Sequence, residues 1–187
     1  MKRIVMLGMA LLAVVAIGGA SAISVSASGH EFIASKLGKT KSKGSGIQVF
    51  KASGFLIECS SVTGSGEITE LHSTTHKEVL NFSGCSGLGG DVSVSTADFD
   101  YNANGPATLE KRVLIAPEGM SCEIVIEPQA VEGPLAYETV SGKLKSNSNV
   151  GKVKIKPTSA ECGSATEASY SGTINAELLE GGTLEWK

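Results

Sequence analysis

The chain has 187 residues with 16 Lys+Arg against 19 Asp+Glu, and nine aromatic side chains in all. That is enough for one domain burying roughly 70% of its unfolded surface, and a net charge of −3 bears on solubility and little else. Only one apolar run stands out. It covers Ile4 to Ile17 and is shorter than the ~20 residues a membrane-spanning helix needs.

Met1-Lys2-Arg3, that apolar run and the small-x-small ending Ala20-Ser21-Ala22 read as a secretory signal peptide over residues 1–22. The expectation is a secreted, extracellular protein with no stable membrane anchor: no Cys follows the cleavage region to carry a lipid, and Thr183–Lys187 is not an apolar tail. A second small-x-small site, Val25-Ser26-Ala27, would leave Ser28-Gly29-His30 as the N-terminus. A free amine, two amide nitrogens and an imidazole in that order form a square-planar nitrogen set suited to Cu(II), so copper binding at Ser28, Gly29 and His30 is conditional on that cut. With cleavage after Ala22 no cofactor is expected.

Residues 23–46 are rich in Ser, Gly and Lys and are expected as an N-terminal arm or an edge strand, ahead of a domain over residues 47–187. From there period-2 alternation and β-branched runs recur between Gly, Ser, Asn and Pro clusters, and no window shows a helical apolar stripe. The expected strands are Gln48–Phe50, Phe55–Cys59, Glu67–Leu71, Lys77–Phe82, Asp91–Ala97, Thr108–Ile115, Cys122–Ile126, Glu138–Lys145, Lys152–Lys156, Ser169–Leu178 and Thr183–Trp186. Breakers include Gly64-Ser65-Gly66, Gly87–Gly90, Asn102–Pro106, Glu132-Gly133-Pro134 and Gly181-Gly182. So many short strands predict an all-β fold, an antiparallel β-sandwich or jelly roll.

Cys59, Cys85, Cys122 and Cys162 all lie in the exported part, and an even count in an oxidising compartment reads as two disulfides. Three pairings are open. Cys59 with Cys85 and Cys122 with Cys162 is favoured because each pair would join neighbouring strands within one half of the chain. A structural zinc site would want close-set pairs such as C-x2-C, which are absent.

Lysines are placed unevenly. Lys39, Lys41 and Lys43 alternate along one segment, and Lys152, Lys154 and Lys156 along another, so that a strand would show three ammonium groups on one face. Side by side, the two would form a strip able to hold an anionic cell-envelope polymer. The competing account is that lysine protects exposed sheet edges from pairing with other chains. No aromatic residue is interleaved in either ladder, which argues against nucleic acid.

His72 and His76 would share a strand face ~13 Å apart, too far for one metal ion, and are expected to be solvated. No G-x-S-x-G, H-E-x-x-H or phosphate loop is present, so the chain is expected not to be an enzyme. A glycan hydrolase or carbohydrate-binding module is the alternative. Asp98 with Asp100, or Glu123 with Glu127, would share a strand face, but Trp186 is the only tryptophan to serve as a sugar platform.

Gly29-His30-Glu31-Phe32, Ser73–Leu80, Phe82-Ser83-Gly84-Cys85 and Gly181–Trp186 make the chain resemble small secreted β-rich proteins of high-GC soil actinobacteria. The resemblance implies export and a disulfide-linked β-domain. It implies no activity, ligand or functional residue. The reading is a secreted non-catalytic envelope or extracellular binding protein.

Overall fold

The computed structural model describes residues 29–133 and 135–187. The expected signal peptide, both cleavage sites and Ser28 lie outside the described residues. In chain order the strands are β1 (Phe32–Ala34), β2 (Gly38–Ala52), β3 (Phe55–Ile68), β4 (His72–Ser73), β5 (Thr75–Gly87), β6 (Gly90–Val94), β7 (Ala97–Asn102) and β8 (Ala107–Leu109). They continue with β9 (Val113–Pro117), β10 (Ile124–Ile126), β11 (Gln129–Val131), β12 (Leu135–Val140), β13 (Lys143–Lys154), β14 (Lys156–Pro157), β15 (Glu167–Leu178) and β16 (Leu184–Trp186). The one helical element among the described residues is a 3-10 turn, Ala160–Cys162. All pairings are antiparallel, as the all-β expectation required.

The main sheet has thirteen strands ordered β12-β13-β15-β2-β3-β5-β6-β9-β10-β14, with β7, β8 and β11 branching from β5. It curls into a sandwich-like arrangement. Phe50, Ile57 and Val62 from β2 and β3 meet Val92, Ile115, Ile124 and Val131 from β6, β9, β10 and β11 in one apolar core. A small sheet, β16-β1-β4, lies over the other end. Its Phe32, Ala34 and Leu184 pack with Tyr101, Tyr137, Leu144 and Leu178 in a second core.

Between the cores the inward positions turn polar. Along β13 they run Leu144, Ser146, Ser148, Val150; along β5, His76, Glu78, Leu80; along β2, Thr40, Ser42, Gln48, Phe50; all are buried. Gln48 bridges this belt to β15. It accepts from the Tyr170 hydroxyl at 2.6 Å and donates to the Gly46 and Thr173 carbonyls.

Several expected boundaries move. Residues 38–46, expected as an arm or edge strand, are the first part of β2 and pair with β15 on one side and β3 on the other. Thr40 and Ser42 are small enough to face inward there while the intervening lysines stay in solvent. Gly64-Ser65-Gly66 is not a turn but lies within the last third of β3. A Cβ on Gly66 would stand 2.3 Å from the Lys77 carbonyl oxygen and 2.8 Å from Thr40 Oγ1, so glycine serves close approach of the backbones. Glu138–Lys145 is two strands, because Ser141 and Gly142 both take positive φ (51° and 75°) and close a tight hairpin between β12 and β13. Lys152–Lys156 is likewise divided: β13 carries a bulge between Val150 and Val153 with Lys152 at φ 54°, and Lys156 belongs to β14.

Both expected disulfides are formed. Cys59 and Cys85 face each other across β3 and β5, and Cys122 before β10 joins Cys162 in the 3-10 turn. All four cysteines are buried.

Candidate functional site

The two lysine ladders are exposed, as alternation requires, but they do not lie side by side. Lys41 is in register with Glu177 near the end of β15, whereas Lys154 is in register with Glu167 at its start. Ten residues of strand separate these positions, roughly 30 Å. The single strip anticipated from the sequence is therefore two islands at opposite ends of one sheet face.

Their electrostatics differ. At the first island Glu177 is shared by Lys41, at 3.1 Å, and Lys143, and Lys145 reaches Glu138 at 3.5 Å. The two lysine hydrogen bonds hold the Glu177 carboxyl below its ordinary range. At the second island Lys51 on β2 and Lys152 and Lys154 on β13 flank β15 from either side, and Lys156 follows on β14. Among the described residues none of these four forms an ion pair. In sequence Lys51 belongs to the basic stretch of the first ladder, yet in the fold it lies at the second island. It joins only because β15 pairs with both β13 and β2.

The backbone under the second island is fixed from an unexpected side. Gln129, at the start of β11, donates to the Lys154 carbonyl at 2.9 Å and accepts from the Lys154 amide at 2.8 Å. Its carboxamide thus acts like one more peptide unit and ties β11 to β13. Val153 and Ile155 point into the core and hold the lysines outward.

The histidines part company. His72 is exposed on β4, with Nδ1 3.2 Å from Glu31, whereas His76 is buried on β5. The expectation of a shared strand face, with both rings solvated, fails for His76 because the chain breaks at Thr74 and β5 then turns residue 76 inward. His30 stacks on Trp186 with ring centroids 4.1 Å apart. Its backbone amide donates to Asn104 Oδ1 and its carbonyl accepts from Asn104 Nδ2. The amide that copper would need at residue 30 is engaged in this arrangement.

Beneath Gly64 and Gly66 lies a buried polar group: His76 and Glu78 from β5, Tyr101 from β7, Tyr137 from β12 and Ser146 from β13 line one small cavity of about 10 Å³. The Ser42 hydroxyl is hydrogen-bonded to Glu78 Oε1. Burial lowers the His76 pKa to about 4 and raises that of Glu78 to about 8, so both are neutral at pH 7. Tyr101 and Tyr137 are pushed upward by burial too. Among the described residues no group of three or more His, Cys, Asp or Glu is placed to hold a metal ion.

The carboxylate pairs named for glycan hydrolysis are engaged elsewhere or exposed. Asp98 pairs with Lys111 at 2.5 Å and Asp100 with Lys77 at 3.9 Å, while Glu123 and Glu127 are exposed at either end of β10. An open cleft of about 610 Å³ runs past His30, Asn104, Tyr137 and Trp186. The indole is flanked there by His30 and by Tyr137, whose centroid lies 6.1 Å away. No protein-family model, curated protein or solved structure matches the chain.

Proposed function

We propose that this is an exported, non-catalytic envelope or extracellular binding protein that holds an anionic polymer on Lys152, Lys154 and Lys156, with Lys51 beside them. The observation that carries this reading is a group of four exposed lysines that form no ion pair among the described residues, Lys51 and Lys152/Lys154 on the two strands flanking β15 and Lys156 on β14, in an otherwise mildly acidic chain. Cations kept free of internal partners retain their field for a polyanion, and binding of this kind weakens steeply with salt. The paired lysines of the first island, Lys41 above all, contribute less, while Lys39 and Lys43 form no ion pair among the described residues. The two buried disulfides fit an oxidising compartment and so support export.

The test is salt elution from immobilised polyphosphate. Replacing Lys152, Lys154 and Lys156 together by Glu is expected to abolish retention at low salt while leaving the thermal transition within a few degrees, since exposed charges contribute little to stability. The matching triple change at Lys39, Lys41 and Lys43 weakens retention only in part. Equal retention of the parent and the Lys152/154/156 variant rejects the proposal.

A glycan-binding reading has the cleft beside Trp186 in its favour. Because Trp186 is the only tryptophan, its fluorescence reports occupancy directly, and soluble wall glycans that leave it unchanged dismiss that reading.

A further inference from the structure

The belt between the two cores holds an unusual number of polar atoms without partners. Both His76 ring nitrogens and the Tyr137 hydroxyl are sequestered from solvent and make no hydrogen bond among the described residues. A buried donor or acceptor left unmade costs about 1–3 kcal/mol, and native structures rarely tolerate several together. Histidine and tyrosine are also poor choices here if their only task is to fill space, since Leu and Phe would do so without that cost.

Geometry gathers these atoms around one void. His76 stands opposite Tyr101 across the β5–β7 pairing, Glu78 follows two residues on and so points the same way, and Tyr137 and Ser146 come from the neighbouring β12 and β13. Leu144, Ile174 and Ala176 complete the wall. At about 10 Å³ the cavity is at the lower bound for a single water, which also needs two to four polar partners to stay. Apolar voids stay dry; this one is lined by His, Glu, Ser and two Tyr side chains.

We infer that this cavity is a hydration site holding one internal water molecule, which hydrogen-bonds one His76 ring nitrogen and the Tyr137 hydroxyl, with Glu78, Tyr101 and Ser146 as the remaining polar wall. The water donates to the unprotonated imidazole nitrogen and accepts from the phenol. Neutral His76 and protonated Glu78 suit a water better than a cation, which would require ionised ligands in a setting that burial keeps neutral. A metal-ligating histidine also normally donates its second ring nitrogen to a neighbour, and His76 has no such partner among the described residues. The belt thus becomes a hydrated polar layer between two dry cores. It fixes the facing of β5, β12 and β13 through a water that no apolar substitution could replace in kind.

Two measurements decide the matter. In a high-resolution crystal structure of the unaltered protein, one water-sized peak is expected within hydrogen-bonding distance of a His76 nitrogen and Tyr137 Oη. Water-oxygen magnetic relaxation dispersion counts waters held for longer than nanoseconds, and filling the cavity by Ser146→Val or by Ala176→Val is expected to lower that count by one. The two variants approach from different strands, so a folding failure in one leaves the other. An empty cavity in the crystal, an unchanged water count in a folded filled variant, or a stoichiometric metal by elemental analysis each overturns the inference.

Discussion

At the scale of single residues, Glu78 and His76 make stability depend on pH in opposite senses. The Glu78 carboxyl titrates near 4.5 in the unfolded chain and about 8 in the folded one, so between those values the folded state keeps a proton that the unfolded state has lost. Its contribution is therefore full below pH 4.5 and declines as pH rises to 8. His76 is the reverse: with a folded pKa of about 4 against 6.5, its contribution is full above 6.5 and is lost as pH falls to 4. From 4.5 to 6.5 the two slopes oppose each other; from 6.5 to 8 only the Glu78 decline remains, with a limiting slope of about 1.4 kcal/mol per unit. Tyr101 and Tyr137, which face the pair from β7 and β12, stay protonated throughout. Glu78→Gln keeps the size and an acceptor for Ser42 but cannot ionise. Urea unfolding at pH 6.5 and 8.0 is expected to show a clear loss of stability in the parent and almost none in the variant. Parallel pH profiles would remove Glu78 as the source.

At the scale of elements, glycine marks where strands approach too closely for any side chain. Gly66 sits in β3 above Lys77 and Thr40, and Gly87 ends β5 with its absent Cβ only 2.4 Å from the Leu56 carbonyl oxygen. Gly66→Ala is expected to destabilise the fold by about 2–3 kcal/mol, in the range for overpacking a tightly packed site. Ala has the better strand propensity and would be neutral if Gly66 were only a breaker. A chemical-unfolding midpoint within error of the parent would show that the backbones can separate at no cost. The hairpin at Ser141-Gly142 carries a related lesson. Alternation alone reads Glu138–Lys145 as one strand, whereas two successive positive φ angles fold it back on itself, with Glu138 facing Lys145 across the ladder.

At the scale of the molecule, the two disulfides brace different parts of the curl. Cys59–Cys85 staples β3 to β5, already neighbours with extensive pairing, whereas Cys122–Cys162 holds the 3-10 turn against the approach to β10, where β14 contributes only a two-residue strand. For loops of 26 and 40 residues the chain-entropy contributions are about 3.5 and 4 kcal/mol as upper values. Replacing Cys122 and Cys162 together by Ala is expected to cost about 2–5 kcal/mol in urea unfolding. A cost below about 1 kcal/mol would show that the β10–β14 corner holds without its crosslink. The polymer-binding proposal belongs to this scale too, because its second island exists only where β2 and β13 are brought to either side of β15.

Composition and local pattern determined the all-β class and the outward facing of both lysine ladders and favoured, among three open pairings, the disulfide partners that are formed, because alternation and the spacing of half-cystines act over a few residues or within one half of the chain. The interior placement of His76 and Glu78 was not legible. A His-Lys-Glu run reads as a solvated face unless it is known that β7 and β12 cover it with Tyr101 and Tyr137. Nor could the sequence place the lysine islands relative to each other. That separation depends on the register of β15 against both β2 and β13, and the β2 side of it is decided by contacts between residues more than a hundred positions apart. Local sequence sets which residues share a face of a strand; only the assembled sheet decides which face is covered and what lies opposite.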